Sequence, residues 1–186
     1  MKVWTIVGCA VLVASALLCG CSQSSTSKRV AAIAAGASPP SNANDPSHVI
    51  DRLVIGEDTD FAGVQGDLTK ESGQYAYYRS TTPLPGASSC SVYVYKPSND
   101  RFATCEFDAR NRGAANALYQ KWLSNIRIAE PYWKELQVSP LPSGAVDATL
   151  FTDDKQIDGI YVNVTKSGGS RYRMTITFAK LAALKS

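Results

Sequence analysis

Ile160-Tyr161-Val162-Asn163-Val164-Thr165 and Arg171-Tyr172-Arg173-Met174-Thr175-Ile176-Thr177-Phe178 are the two runs that decide the fold. Ile160, Val162 and Val164 take every second place in the first, and Tyr172, Met174, Ile176 and Phe178 do so in the second. A period of two belongs to a strand with one buried face. Between the runs stands Lys166-Ser167-Gly168-Gly169-Ser170, whose two glycines suit a tight turn. The stretch predicts a β-hairpin. Leu150-Phe151-Thr152 predicts one more strand before it, ended by the turn residues Asp153-Asp154.

Further upstream the same reasoning finds Gln74-Tyr75-Ala76-Tyr77-Tyr78 as a strand, then a second hairpin. Its arms are Ser91–Tyr95 and Arg101–Phe107, joined through Lys96-Pro97-Ser98-Asn99-Asp100, with proline where a type I turn favours it. A turn centred on Pro97-Ser98 sets Cys90 directly opposite Cys105, within disulfide reach. Between the two hairpins, Ala115, Leu118, Trp122, Ile126 and Ala129 recur at helical spacing, capped by Asn111 or Asp108 and stopped at Pro131. Tyr132-Trp133 and Leu136 predict a second short helix. The Trp122 stripe fits core packing against a sheet, since its spacing is that of an amphipathic face; a ligand groove is the other reading. The fold expected is α+β: an antiparallel β-sheet built from two hairpins, with one main α-helix packed on one face. No internal repeat is visible.

The N-terminus carries an address. Lys2 precedes the apolar run Val3–Leu18, which leads into Leu18-Cys19-Gly20-Cys21. This stretch resembles the signal peptide and lipobox of bacterial lipoproteins; Cys19 stands where Ala, Ser or Thr is commoner. The resemblance implies cleavage before Cys21 and a diacylglyceryl group on its sulfur, joined in many bacteria by an N-acyl chain such as palmitate. It implies a lipid-anchored protein of the bacterial cell envelope. Ser22 follows in place of an acidic residue, which points to the outer membrane, facing the periplasm, in a Gram-negative host. A spanning anchor is the competing reading, but Lys28 and Arg29 would then lie on the translocated side, against the positive-inside rule. Cys9 has too few apolar residues before it to be the lipid site.

Of five cysteines, Cys9 and Cys19 leave with the signal and Cys21 carries lipid, so Cys90 and Cys105 remain. A pair in an exported chain is by default a disulfide. The organisation expected is 1–20 signal peptide, 21–47 lipidated flexible tether and 48–186 a single α+β domain. The tether is rich in Ser and Ala and holds Pro39-Pro40. As a coil of roughly 26 residues it reaches roughly 25–30 Å. The domain's first apolar residues are Val49-Ile50 and Leu53-Val54-Ile55.

Chemistry is sparse. The formal net charge of +3 does not point to nucleic acid. The single histidine, His48, stands at the tether's edge, a poor place for an oriented base. No Gly-x-Ser-x-Gly elbow, Walker loop or His-Glu-x-x-His occurs. Glu57–Gly63 echoes a calcium loop, but Ala62 and Thr69 break the ligand pattern, so it reads as a solvated acidic loop. Neither a cofactor nor a metal is expected.

Two features fit a binding surface. One is Tyr161, Asn163, Arg171 and Arg173 on the polar face of the last hairpin; the other is Tyr75, Tyr77, Tyr78, Tyr93 and Tyr95. A solvent-facing antiparallel sheet uses the same residue types. The function expected is a non-enzymatic, lipid-anchored binding or accessory domain, held to the membrane through Cys21, with a protein or envelope-polymer partner. The alternatives are a small-molecule or lipid carrier with a pocket between helix and sheet, and an envelope hydrolase or hydrolase inhibitor.

Overall fold

The alternation of the last hairpin becomes the centre of a wide sheet. In the computed structural model, which describes residues 45–184, β7 (Asp158–Gly168) pairs antiparallel with β8 (Arg171–Lys180), setting Val162 opposite Ile176 and Val164 opposite Met174. The turn needs glycine: Gly168 has φ 115° and Gly169 φ 55°. On the other side of β8 lies β4 (Asp100–Ala109), which pairs with β3 (Ser89–Tyr95) as the proline turn requires. β2 (Tyr75–Ser80) and β1 (Gln65–Ser72) continue that side; β6 (Ala145–Thr152) and β5 (Lys134–Gln137) continue the other. All neighbours are antiparallel, in the order β1-β2-β3-β4-β8-β7-β6-β5.

Two helices precede the two halves of this sheet. α1 (Pro46–Asp58) leads into β1–β4, and α2 (Arg112–Ala129) leads into β5–β8; a short α3 (Leu181–Leu184) closes the chain. Each half is therefore a helix followed by a four-strand meander. The meanders join along β4 and β8, so the topology repeats although the residues do not.

The α+β class and the antiparallel sheet agree with the sequence; the element count does not. The expected sheet of two hairpins under one helix is in fact eight strands with two long helices. α1 starts inside the stretch assigned to the tether. Asp45 caps it, accepting from the Ser47 N–H at 2.8 Å, and Pro46 takes its first turn. Val49, Ile50, Leu53, Val54 and Glu57 then form its buried stripe. His48 lies half-buried in this helix. The acidic loop is only partly solvated: Glu57 and Phe61 are both 1% exposed. The ring of Phe61 tucks under the end of α1, where a Cβ on Gly56 would stand 3.3 Å from it. The expected helix at Tyr132–Leu136 is also overturned. α2 ends with the Glu130 N–H bonded to the Ile126 carbonyl. Beyond Pro131 the chain finds a better set of partners along the open edge of β6, with Leu136 opposite Leu150.

The core lies between the helices and one sheet face. Trp122 is 1% exposed, its ring centroid 5.3 Å from that of Phe107. Val162, Val164, Met174 and Ile176 are each at most 1% exposed on the same side. The core reading of the Trp122 stripe therefore holds. Cys90 and Cys105 form a disulfide across the β3–β4 hairpin, directly opposed and 4.1 Å apart at Cα. No described helix is long and apolar enough to cross a membrane. Cys21, the expected signal segment and the expected tether up to residue 44 lie outside the described residues.

Candidate functional site: the outer face of the sheet

Because strand side chains alternate, burying Val162 and Ile176 under the helices turns the intervening residues to the opposite face. Registers then decide which of them meet. Tyr75 lies opposite Tyr95 and Tyr77 opposite Tyr93, while Tyr93 lies opposite Phe102. The result is a continuous aromatic patch over β2, β3 and β4. The Tyr93 ring stacks on Phe102 at 5.0 Å with the planes 6° apart. Tyr77 meets Tyr93 edge-on at 4.8 Å, and Tyr75 lies 5.2 Å from Tyr95. The Lys70 ammonium sits 4.4 Å from the centre of the Tyr77 ring, a cation–π contact at the patch margin. Burial, and then the charge of Glu106, hold the Tyr93 phenol above its ordinary pKa, so it stays neutral.

The four residues singled out on the last hairpin fare differently. Arg173 does point to this face, but it is engaged: its guanidinium pairs with Glu106 at 3.4 Å and with Asp108 at 3.3 Å. Tyr161 and Asn163 share the face as well. Their Oη and Oδ1 atoms are buried and make no well-formed hydrogen bond. Burial raises the Tyr161 pKa, partly offset by the neighbouring Asn163. Arg171 stands beside the hairpin turn, opposite Gly168, and is exposed. Four of the five tyrosines come together; Tyr78, of opposite parity to Tyr75 and Tyr77, packs against the core instead.

Phe102 was missed by sequence reasoning, though it was within reach. Once Cys90 faces Cys105, the register places Phe102 against Tyr93 with no further assumption. A gathering of acids was missed too. Glu57 from α1, Asp153 from the turn after β6, and Asp158 from β7 are each at most 5% exposed. The Asp153 carboxylate accepts from the Ile157 N–H at 2.7 Å and serves the turn. Burial first, then the charges of Asp58 and Asp153, push Asp158 up to about 6; Lys180 and the Glu57 carboxyl pull the other way. The Glu57 oxygens and Asp158 Oδ1 are sealed from solvent. No group of three or more His, Cys, Asp or Glu with metal-binding geometry occurs among the described residues.

Compared with known proteins, the chain matches no family model, no curated protein and no solved structure.

Proposed function

We propose that this chain is a non-enzymatic binding domain, lipid-anchored at Cys21 on the bacterial envelope, that captures a protein or envelope-polymer partner on the outer face of its sheet. The observation that carries the reading is the aromatic patch. Five rings on three adjacent strands lie on the side away from the helices, in mutual contact, and Tyr75 is 37% exposed. Aromatic side chains offer a large contact area with few torsions to freeze, which is why Tyr is enriched at binding hot spots. The rigid strand pairing beneath the patch fixes the rings before a partner arrives, and preorganisation lowers the cost of association.

The double substitution Tyr77→Ser, Tyr93→Ser tests the face. Both residues are half-buried by one another rather than by the core, so melting should shift only modestly. Recovery of the partner crosslinked in intact cells should fall at least tenfold. Recovery equal to the parent's, with the fold intact, rules the aromatic patch out. The anchor is tested separately. Cys21→Ala should leave the signal uncleaved, so that the chain runs larger than its parent, and should take up no labelled palmitate; a variant processed to the parent's size, or still labelled, contradicts the lipid assignment.

A further inference from the structure

A second surface lies at one end of the sheet, away from the tyrosines. There β4 runs out toward α2, and the β7–β8 turn stands beside it. The two enclose an open concavity of about 530 Å³, lined by Asp108, Arg110, Ser167, Arg171, Tyr172 and Arg173 together with Ala109. Three guanidiniums thus face one carboxylate. Arg173 holds that carboxylate at 3.3 Å and, just outside the lining, Glu106 at 3.4 Å, so the unbalanced positive charge is that of Arg110 and Arg171. Arg110 and Arg171 have no ion-pair partner among the described residues. Two further cations stand close by in the chain: Lys166, directly across from Tyr172, and Arg112 at the start of α2. The first turn of α2 contains no acidic residue, so nothing there offsets the positive end of the helix.

The opposite end of the same strands is acidic. Glu57, Asp58, Asp60, Asp153 and Asp158 gather there, and Lys180 is occupied by Asp60 at 2.9 Å. The two ends are separated by the length of β8, about 30 Å. The sequence therefore segregates charge along the strands, and the excess of arginine falls at a concave place rather than on a convex surface. A concavity whose lining carries an excess of one sign of charge concentrates ligands of the other sign.

We propose that this arginine pocket binds a phosphate group. Guanidinium is the cation whose planar fork matches two oxygens of a phosphate at once. Arg110 and Arg171 supply two free forks on adjoining segments. Arg173, steadied by Asp108, keeps a fixed charge two residues along β8 from Arg171, and the Ser167 hydroxyl is a further donor. The volume exceeds that of one phosphate, so the group would carry an organic substituent: a soluble phosphomonoester or the headgroup of an anionic phospholipid. The proposal does not depend on the aromatic patch having a partner.

The test uses the full chain in neutral detergent micelles and the arginine reagent phenylglyoxal, with modified sites read by mass spectrometry. Glycerol 3-phosphate should slow modification of Arg110 and Arg171 at least tenfold and leave exposed Arg79 unaffected. If it does, the pocket takes soluble phosphoesters. If protection appears only when phosphatidylglycerol is mixed into the micelles, and not with phosphatidylcholine, it takes the anionic headgroup. No protection in either arm overturns the proposal, as does equal protection by sodium chloride at matched ionic strength. In calorimetry, the exposed pair Arg110→Gln and Arg171→Gln should abolish the protecting ligand's binding while the melting midpoint stays unchanged. Parent-like affinity in that variant also overturns it.

Discussion

Cys90 and Cys105 sit opposite one another because a four-residue turn places them so, and their bond closes a loop with a sequence separation of 15. A loop of that size restricts the unfolded chain by about 3 kcal/mol, a large part of a small domain's usual stability. Denatured, unreduced protein should show neither thiol, and reduction should lower the melting midpoint by about 10 °C. Trp122 and the arginines of the last hairpin make the opposite pair of cases. Trp122→Ala removes a ring that is 1% exposed and packed on Phe107, at a cost of about 3–5 kcal/mol. Arg171→Ala with Arg173→Ala touches exposed or half-exposed groups whose ion pairs contribute at most about 1 kcal/mol. Denaturant titration of both variants should separate them cleanly; a Trp122→Ala protein as stable as its parent would mean the two sheet faces are assigned the wrong way round.

The joint between α1 and β7 has its own pH dependence. Asp158 titrates at about 6, above the 3.8 of an unperturbed aspartate, because it is buried near Asp58 and Asp153. A raised carboxyl pKa means that the folded state holds the proton more tightly than the unfolded one. This group's stabilisation is complete below about pH 4 and is lost as pH rises through 6. Ionic pairs elsewhere have the opposite sign, but their window is lower: the Arg127 hydrogen bond lowers the Glu135 pKa and the Lys180 hydrogen bond lowers that of Asp60. Between pH 5 and 7.5 the protein should therefore lose stability, and Asp158→Asn should flatten that fall and raise stability at pH 7.5. Identical pH slopes for parent and variant, read from urea midpoints, would contradict the account. Elements were legible in the sequence where one signal was enough. The β7–β8 alternation and the Asn111-capped α2 each announce themselves locally. α1 did not, because its stripe of Val49, Ile50, Leu53 and Val54 is short and follows a proline-rich stretch, so it read as the ragged start of a domain. β5 was hidden for a different reason. All four of its residues are exposed, so it has no buried face to leave a pattern, and it exists only because β6 offers an unpaired edge.

Among the described residues, the eight strands and the helices packed on them leave one broad face of the sheet without a helical cover. That asymmetry was only half legible. Alternation in the last hairpin told which residues turn outward, and so placed Arg173, Tyr161 and Asn163 correctly. It gave no hint that Arg173 would be taken by Glu106 and Asp108, because those pairings depend on β4 lying beside β8, a contact between distant parts of the chain. The aromatic patch is the part of the described face that remains available, and it is where we place the partner. The direct measurement is photo-crosslinking in intact cells, with a photoreactive residue in turn at Tyr75 and Tyr95 on the patch and at exposed Gln120 on α2. One discrete adduct is expected, the same from both patch positions and absent from Gln120. Adducts from Gln120 alone, or none from either patch position, would contradict that placement.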